Sequence, residues 1–356
     1  MKFVHIADMH FDTSFSQIND SDLGIVRRLA QRNVFKKIID YIIENDVNYL
    51  FIAGDFYEHK FIKESTIEYV NKLFKEIPKT KIFITPGNHD PLIKNSFYNK
   101  YKWNENVHIF GSRISYIDDE NIRIYGYGFD DFYYTNSEID DFVLEDKEKI
   151  NILITHGTLN GTNNIDNQYN AIQKSNLERI GFDYVALGHI HKSNYSKEQK
   201  IVYPGSTISM GFDELGEHGM VVGEIENKKI TTKFIPLDES EFKIIDFDIS
   251  DSLSLEDLSE KINSLELCEK DFYEIYITGR RKFEIDIYNL KKMIFKKNII
   301  KIKDKTKLYY DLNEIAEDNS LKGLFVKEIM NRLNSDEYDK ETVEKALEIG
   351  LNILEK

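Results

Sequence analysis

Five short apolar runs, each closed by a residue that can ligate a metal, constrain this chain more than any other feature. They are Phe3 to Ala7, Tyr49 to Ala53, Lys81 to Thr85, Asn151 to Thr155 and Asp183 to Leu187. Each is about five residues long and rich in Ile, Val, Phe and Leu, so it is too short for a helix and reads as a strand buried on both faces. Between the first two, Ile25 to Glu44 places Ile25, Val26, Leu29, Val34, Ile38, Ile39, Ile42 and Ile43 near helical spacing. Ile62 to Ile77 has the same character and stops before Pro78, where a helix cannot easily continue. Strand and helix in alternation predict an α/β fold. From Val107 to Tyr127 and from Ile201 to Ile235 the pattern changes to alternation with glycine turns, expected to add antiparallel strands as a second sheet.

The 356 residues lead one to expect two domains at roughly 150 residues each. After Pro236 the rhythm becomes strand (Phe242 to Ile249), helix (Leu255 to Leu265), strand (Phe272 to Thr278), helix (Ile287 to Phe295) and strand (Ile299 to Ile302), a small α+β domain. Leu321 to Glu355 is helical in pattern. The formal charge of −15 disfavours nucleic-acid binding over the whole surface. Between Lys270 and Lys307, however, twelve basic residues face five acids, a local charge of +7. One cysteine, Cys268, excludes an intrachain disulfide and a paired-thiolate zinc site. With no signal peptide and no membrane span legible, a cytoplasmic protein is expected.

The chemistry lies after the five runs, in Asp8-Met9-His10, Gly54-Asp55, Pro86-Gly87-Asn88-His89-Asp90, His156-Gly157 and Gly188-His189-Ile190-His191. Ligands of α/β sheets collect beyond the carboxyl ends of the strands. Five parallel strands would therefore bring Asp8, His10, Asp55, Asn88, His156, His189 and His191 to one crevice. Seven donors exceed the needs of one ion. A pair of divalent ions about 3.5 to 4 Å apart, sharing a carboxylate, uses them, and its chemistry is phosphoester hydrolysis. Mixed imidazole and carboxylate ligation suits Mn²⁺, Fe²⁺ or Zn²⁺ better than Mg²⁺ or Ca²⁺. Mn²⁺ is the expected ion, with Fe²⁺, Zn²⁺ and Mg²⁺ as alternatives. Each motif alone has a bland reading, a hydrogen-bonded histidine or a Gly-Asn turn; five in order, each on a strand end, do not.

That order of motifs resembles the calcineurin-like metallophosphoesterases. Within them the chain is most similar to the SbcD-type DNA repair nucleases, including the YhaO-like exonuclease branch. The similarity is carried by His5-Ile6-Ala7-Asp8-Met9-His10-Phe11-Asp12, by Tyr203-Pro204-Gly205-Ser206-Thr207 and by the block from Gly211 to Gly219. The resemblance implies a four-layer αββα sandwich over 1–236, a small α+β capping domain contacting DNA over 237–310, and a helical partner-binding segment over 311–356. It further implies that Asp8, His10 and His191 hold one metal and Asn88, His156 and His189 the other, with Asp55 bridging. His89 would stabilise the transition state and protonate the leaving oxygen, and Asp90 would orient His89 or cap the turn. The implied activity is hydrolysis of DNA phosphodiester bonds, as an exonuclease with additional endonuclease capacity. The implied partners are DNA, a second copy of the chain, and a coiled-coil ABC-type ATPase of the SbcC or YhaN kind.

One position departs from the pattern. Many of these nucleases carry a second histidine three residues after the bridging aspartate, where this chain has Glu58, followed by His59. His5, His108 and His218 are expected to be structural or exposed, and Tyr98, Tyr101 and Trp103 to form a core aromatic cluster rather than a base-stacking surface. Two alternatives remain: a phosphoesterase for small diesters or phosphomonoesters, and a non-catalytic scaffold that binds DNA ends.

Overall fold

The computed structural model describes residues 1–15, 21–134, 138–160, 169–335 and 337–354. All five apolar runs are strands, Lys2–Ile6, Tyr49–Ala53, Lys81–Thr85, Ile150–His156 and Tyr184–Gly188. They divide three and two between two sheets. In spatial order the first sheet runs Lys229–Pro236, Gly219–Glu226, Lys2–Ile6, Tyr49–Ala53, Lys81–Thr85, Val107–Ile109. The second runs Ile201–Val202, Tyr184–Gly188, Ile150–His156, Ile122–Gly126, Ser115–Asp119. Within each sheet the strands that end in the motifs are parallel. The antiparallel strands do not build a sheet of their own, contrary to the sequence expectation. Gly219–Glu226 zips onto Lys2–Ile6, and Ser115–Asp119 onto Ile122–Gly126, so both sheets are mixed.

Side-chain alternation explains this layering. Alternate residues of a strand point to opposite faces, and a run apolar on both faces must be covered twice. Tyr49, Phe51 and Ala53 of the first sheet meet Ile150, Ile152 and Ile154 of the second in one buried cluster that also takes in Phe3, Phe83, Tyr184 and Ala186. Burial of each large side chain contributes about 1.5–3 kcal/mol. On the far side of the second sheet, Leu153, Val185 and Leu187 pack with Leu177 and Ile180 of helix Lys174–Ile180. Outside the first sheet, Phe35 of helix Ser21–Glu44 and Phe74 of helix Glu64–Glu76 meet Phe56. The result is the αββα sandwich.

Helix Ser21–Glu44 corrects one detail. Val34, Phe35, Ile38, Ile39 and Ile42 are buried, but Ile25, Val26, Leu29 and Ile43 are exposed. In its amino-terminal half the inward positions are instead Arg27 and Gln31, one helical turn apart and both buried. Arg27 donates to Ser209 O at 2.6 Å and Asp238 Oδ2 at 2.6 Å, and stands over the Phe272 ring at 5.6 Å. A buried guanidinium whose two terminal nitrogens are hydrogen-bonded is tolerated there, with only its Nε left without a partner. Apolar spacing alone therefore misplaces the face. Tyr98, Tyr101 and Trp103 do form a packed cluster, with the Trp103 indole donating to Phe97 O at 3.1 Å.

The chain divides into two compact units, 1–244 with 267–274, and 245–266 with 275–356. The second unit contains helices Leu255–Asn263, Ile287–Met293, Leu312–Glu317, Leu321–Leu333 and Lys340–Leu354; Glu355 lies outside the described residues. Ser254, Asp286, Asp311 and Ser320 cap the first four with side-chain oxygens, each cap contributing about 1 kcal/mol. Strands Phe242–Asp248, Phe272–Thr278 and Ile299–Asp304 form a three-stranded sheet in that order.

His5 provides a test of the inter-sheet core. Its ring is fully buried, with Nδ1 2.9 Å from the Tyr184 hydroxyl, and burial pushes its pKa down to about 3. The unfolded chain, with His near 6.5, binds a proton over the window from about pH 6.5 to 3 that the folded chain refuses, so stability falls as pH drops through that window. Between pH 7 and 5 the loss is about 2 kcal/mol. In His5→Phe the difference between urea-unfolding free energies at those two pH values shrinks by about that amount.

Candidate metal centre

The motif residues sit where strands turn sharply into loops. Asp8, His10, Asp55 and His189 all have positive φ, at 50°, 46°, 50° and 107°. Non-glycine residues in such backbone cost on the order of 1 kcal/mol or more each and persist where surroundings hold them. Here Asp8 N–H donates to Gly54 O at 3.2 Å and His10 N–H to Asp55 O at 2.9 Å. The Gln31 amide donates to both Met9 O and His10 O, at 3.0 and 2.9 Å. Two glycines are required by close approach. A Cβ on Gly54 would lie 2.3 Å from His156 Nδ1, and one on Gly87 2.2 Å from Asp55 Oδ1.

The two sheets bring the motif side chains together. Asp8, His10 and His191 form one group whose donor atoms lie within 4.8 Å of one another, and Asp55, His156 and His189 form a second. Asp55 Oδ2 reaches into both, 3.7 Å from His10 Nε2 and 3.2 Å from His156 Nε2. Asn88 Oδ1 lies 3.1 Å from His156 Nε2. Asp8, Asp55 and His156 are almost wholly buried.

Whether this set suits cations follows from the tautomers. His10 Nδ1 is 2.7 Å from Glu58 Oε1, His191 Nδ1 is 2.8 Å from Glu214 Oε2, and His156 Nδ1 is 2.9 Å from Ala53 O. Each partner is an acceptor, so each Nδ1 carries a proton and Nε2 is the atom left to face the cluster. His10 Nε2 and His191 Nε2 then face each other at 3.1 Å. Two lone pairs that close repel unless a proton or a metal cation lies between them. The same demand appears in the proton affinities. Burial opposes charging of His156, but Asp55 beside it outweighs this and raises its pKa to about 9. His191 also reaches about 9 against its burial, through Glu214 and Asp8. His189 is held down to about 3 by burial and by the neighbouring His156. The donor set fits divalent cations, which would satisfy the carboxylates and imidazoles without added protons.

Three carboxylates around these groups escaped the sequence reading or were given another role. Glu58 joins His10 Nδ1 at 2.7 Å to His89 Nδ1 at 3.0 Å through its two oxygens. Burial pushes its pKa up, yet these two hydrogen bonds bring it down to about 2. Glu58 also outweighs the burial of His89 and raises that ring to about 9. The carboxylate on the His89 ring is thus Glu58, whereas Asp90 accepts from the backbone N–H groups of Asp55, Phe56 and Gly87, at 3.1, 2.7 and 2.6 Å, and from the Tyr98 hydroxyl at 2.5 Å. Asp90 braces two ligand loops against each other. Glu214 accepts from His191, Ser206 Oγ and Met210 N–H. The sequence marked Glu58 only as a departure from the family's second histidine, and no local spacing pointed to Glu214, because their partners are distant in sequence.

The other histidines stay out of these groups. His59 donates its backbone N–H to His89 O at 2.9 Å, and its ring packs on Phe132 at 5.8 Å. His108 packs on Phe110, and His218 is buried with Nε2 2.7 Å from Glu214 O.

Two substitutions separate these roles. Glu58→Gln keeps the side-chain shape but weakens the hold on His10 and is expected to lower Mn²⁺ affinity about 10- to 100-fold in a calorimetric titration. Asp90→Ala leaves several buried N–H groups unpaired and is expected to cost about 3 kcal/mol or more in urea unfolding; unchanged stability would show that the loops are braced elsewhere.

Comparison with known proteins agrees with this geometry. The model of the calcineurin-like phosphoesterase family matches residues 1–193. The chain is 26% identical over 246 residues to the uncharacterized metallophosphoesterase YhaO of Bacillus subtilis, covering 66% of this chain and 60% of that protein. It is 28% identical over 290 residues to the SbcD component of the SbcCD nuclease of Staphylococcus epidermidis, covering 70% and 74%. It is 25% identical over 273 residues to the same component in Staphylococcus saprophyticus, covering 67% and 69%. The match thus spans less than two thirds of the length of YhaO. With the family model covering more than half of the chain and the motif residues gathered at the strand ends of an αββα sandwich, this protein belongs to the calcineurin-like phosphoesterase family.

Proposed function

We propose that the chain is a two-metal phosphodiesterase acting on DNA, an exonuclease of the SbcD type with additional endonuclease capacity. The observation that carries the hydrolytic part is the facing of His10 and His191 through Nε2 atoms whose Nδ1 partners are all acceptors. In this reading Asp8, His10 and His191 hold one ion, Asn88, His156 and His189 the other, and Asp55 bridges. Mn²⁺ is the ion we favour. When bound, the pair would supply an acidified water and neutralise charge on the phosphate.

The chain's own residues do the rest. His89 is partly exposed, and Glu58 holds its Nδ1. Its Nε2 is left to deliver a proton to the leaving oxygen, general-acid work suited to an imidazole. Glu58 occupies the place of the second histidine of many repair nucleases and acts here as an orienting carboxylate.

DNA as the substrate is supported by the relatives described as nuclease components and by the basic segment of the second unit. There Lys291, Lys292 and Lys297 are exposed beside Tyr288 and Phe295, themselves 70% and 83% exposed. Cations beside exposed aromatic rings, with the Lys292 ammonium 3.9 Å over the Tyr288 ring, suit phosphate contacts and, at Phe295, base contacts. In this reading residues 237–310 cap the substrate, and helices Leu321–Leu333 and Lys340–Leu354 dock a coiled-coil ATPase partner. No Gly-x-x-x-x-Gly-Lys-Ser/Thr loop occurs in the chain, so ATP-driven duplex opening would come from that partner. A homodimer working in the cytoplasm completes the proposal; among the described residues no helix is long and apolar enough to cross a membrane.

The test is release of nucleotides from end-labelled single- and double-stranded DNA in Mn²⁺, with and without chelator. Asp55→Ala is expected to abolish release and metal loading together, and His89→Ala to keep the metals and lose turnover by about 100-fold or more. Cleavage of a small chromogenic diester but not of DNA would overturn DNA as the intrinsic substrate. Wild-type turnover in His89→Ala would remove it from the acid role.

A further inference from the structure

A cavity of about 270 Å³ opens beside the candidate metal centre, with three aromatic side chains, Phe132, Tyr133 and Tyr169, in its wall. Glu58, Asn88 and His89 form the side shared with the centre, and Phe132, Tyr133, Tyr169 and Lys60 form the remainder. Phe132 and Tyr133 are 41% and 65% exposed. Single exposed aromatic residues need no explanation, but three converging on one cavity do. Tyr133 and Tyr169 lie nearly parallel, 22° apart with centroids at 6.3 Å, and Tyr169 continues to the His189 ring at 5.2 Å.

The platform is held on both sides. Phe129 is buried, and its N–H donates to Pro86 O at 3.0 Å. Tyr134 is buried, its hydroxyl donates to Ser112 O at 2.7 Å, and its carbonyl accepts from Asn170 N–H at 2.8 Å. Between these anchors Phe132 and Tyr133 stand in solvent, although their burial in the adjacent core would have been favourable.

We propose that this cavity takes one unpaired nucleobase, that of a nucleotide next to the phosphate being cleaved. The inference rests on the nuclease reading above and adds which form of the substrate the site selects. A base within a duplex is covered on both faces by its neighbours, whereas an unpaired base offers a free face to an aromatic ring. The volume, near the lower end of ligand pockets, suits one base rather than a helix. Lys60 is exposed, with its ammonium 5.3 Å over the Phe61 ring, and supplies one cation at the rim for the adjoining phosphate. Asp130 and Asp131, both exposed and next to the platform, disfavour a continuous phosphate track across it. The cavity therefore selects single-stranded or frayed ends over closed duplex.

The experiment uses the full chain and a short oligonucleotide carrying 2-aminopurine at one terminus or the other. Fluorescence is read in chelator with protein in excess, so no hydrolysis intervenes. Wild type is expected to quench the probe at one terminus, Tyr133→Phe to retain the quenching, and the double variant Phe132→Ala with Tyr133→Ala to lose it. In Mn²⁺, wild type is expected to have a KM on the order of tenfold lower for a terminal nucleotide with a base than for an abasic one, and the double variant to bring that ratio close to one. Absence of quenching at both termini, or equal quenching by the double variant, would overturn the proposal. The two readings fail separately. Metal-dependent DNA cleavage without quenching would sink the base site alone; quenching lost in the double variant, with no DNA cleavage, would sink the nuclease reading and leave a nucleobase site.

Discussion

Everything in the catalytic half depends on holding electron-rich groups at close quarters. Asp8 and Asp55 lie buried with the imidazoles of His10 and His156, and the Nε2 atoms of His10 and His191 approach to 3.1 Å. Such a cluster is electrostatically unfavourable when cation-free, and it does not assemble by its own attraction. It is imposed from outside by the apolar packing of two sheets whose strand ends carry these residues. The hydrophobic core is the term that drives the sheets together, and the candidate metal site is placed on the rim of that core.

The rigidity needed for such an imposed site comes from hydrogen bonds between loops rather than within them. Asp90 is the clearest case, since one carboxylate receives N–H groups from the loop after the second strand and the loop after the third. Gln31 does a comparable job from a helix for the first loop. Glu58 links the His10 ring to the His89 ring, so in the proposed reading metal binding and acid catalysis would share a single carboxylate. Left-handed backbone at Asp8, His10 and Asp55 persists because these contacts hold it.

Much of this was legible in the sequence because it is local. A five-residue apolar run followed by Asp-x-His or Gly-His-x-His is complete within a dozen residues, and strand, turn and ligand are read together. The helices at Glu64–Glu76 and Leu255–Asn263 followed from spacing in the same way, the first with Pro78 marking its end. What was not legible needed long-range pairing. Nothing near Glu214 announces His191, and Glu58 stands next to no imidazole that sequence order would pair with it except His59, the wrong one. The partition of the five strands into two sheets depends on which apolar face meets which, and that is decided only when both sheets exist. Arg27 and Gln31 misled the reading of the first helix for a related reason, because buried polar side chains look like surface until their partners are known.

The pairing of Lys2–Ile6 with Gly219–Glu226 has a consequence for how the chain is made. Lys2 lies opposite Glu224 and His5 opposite Val221, so one edge of the first strand stays open until the ribosome has delivered the end of this unit's main segment. An unpaired edge of a buried, apolar strand is a site for mispairing with other chains. That edge is therefore closed by a strand more than two hundred residues downstream, and a product truncated before residue 219 would carry it permanently open beside the apolar cluster that contains Phe3.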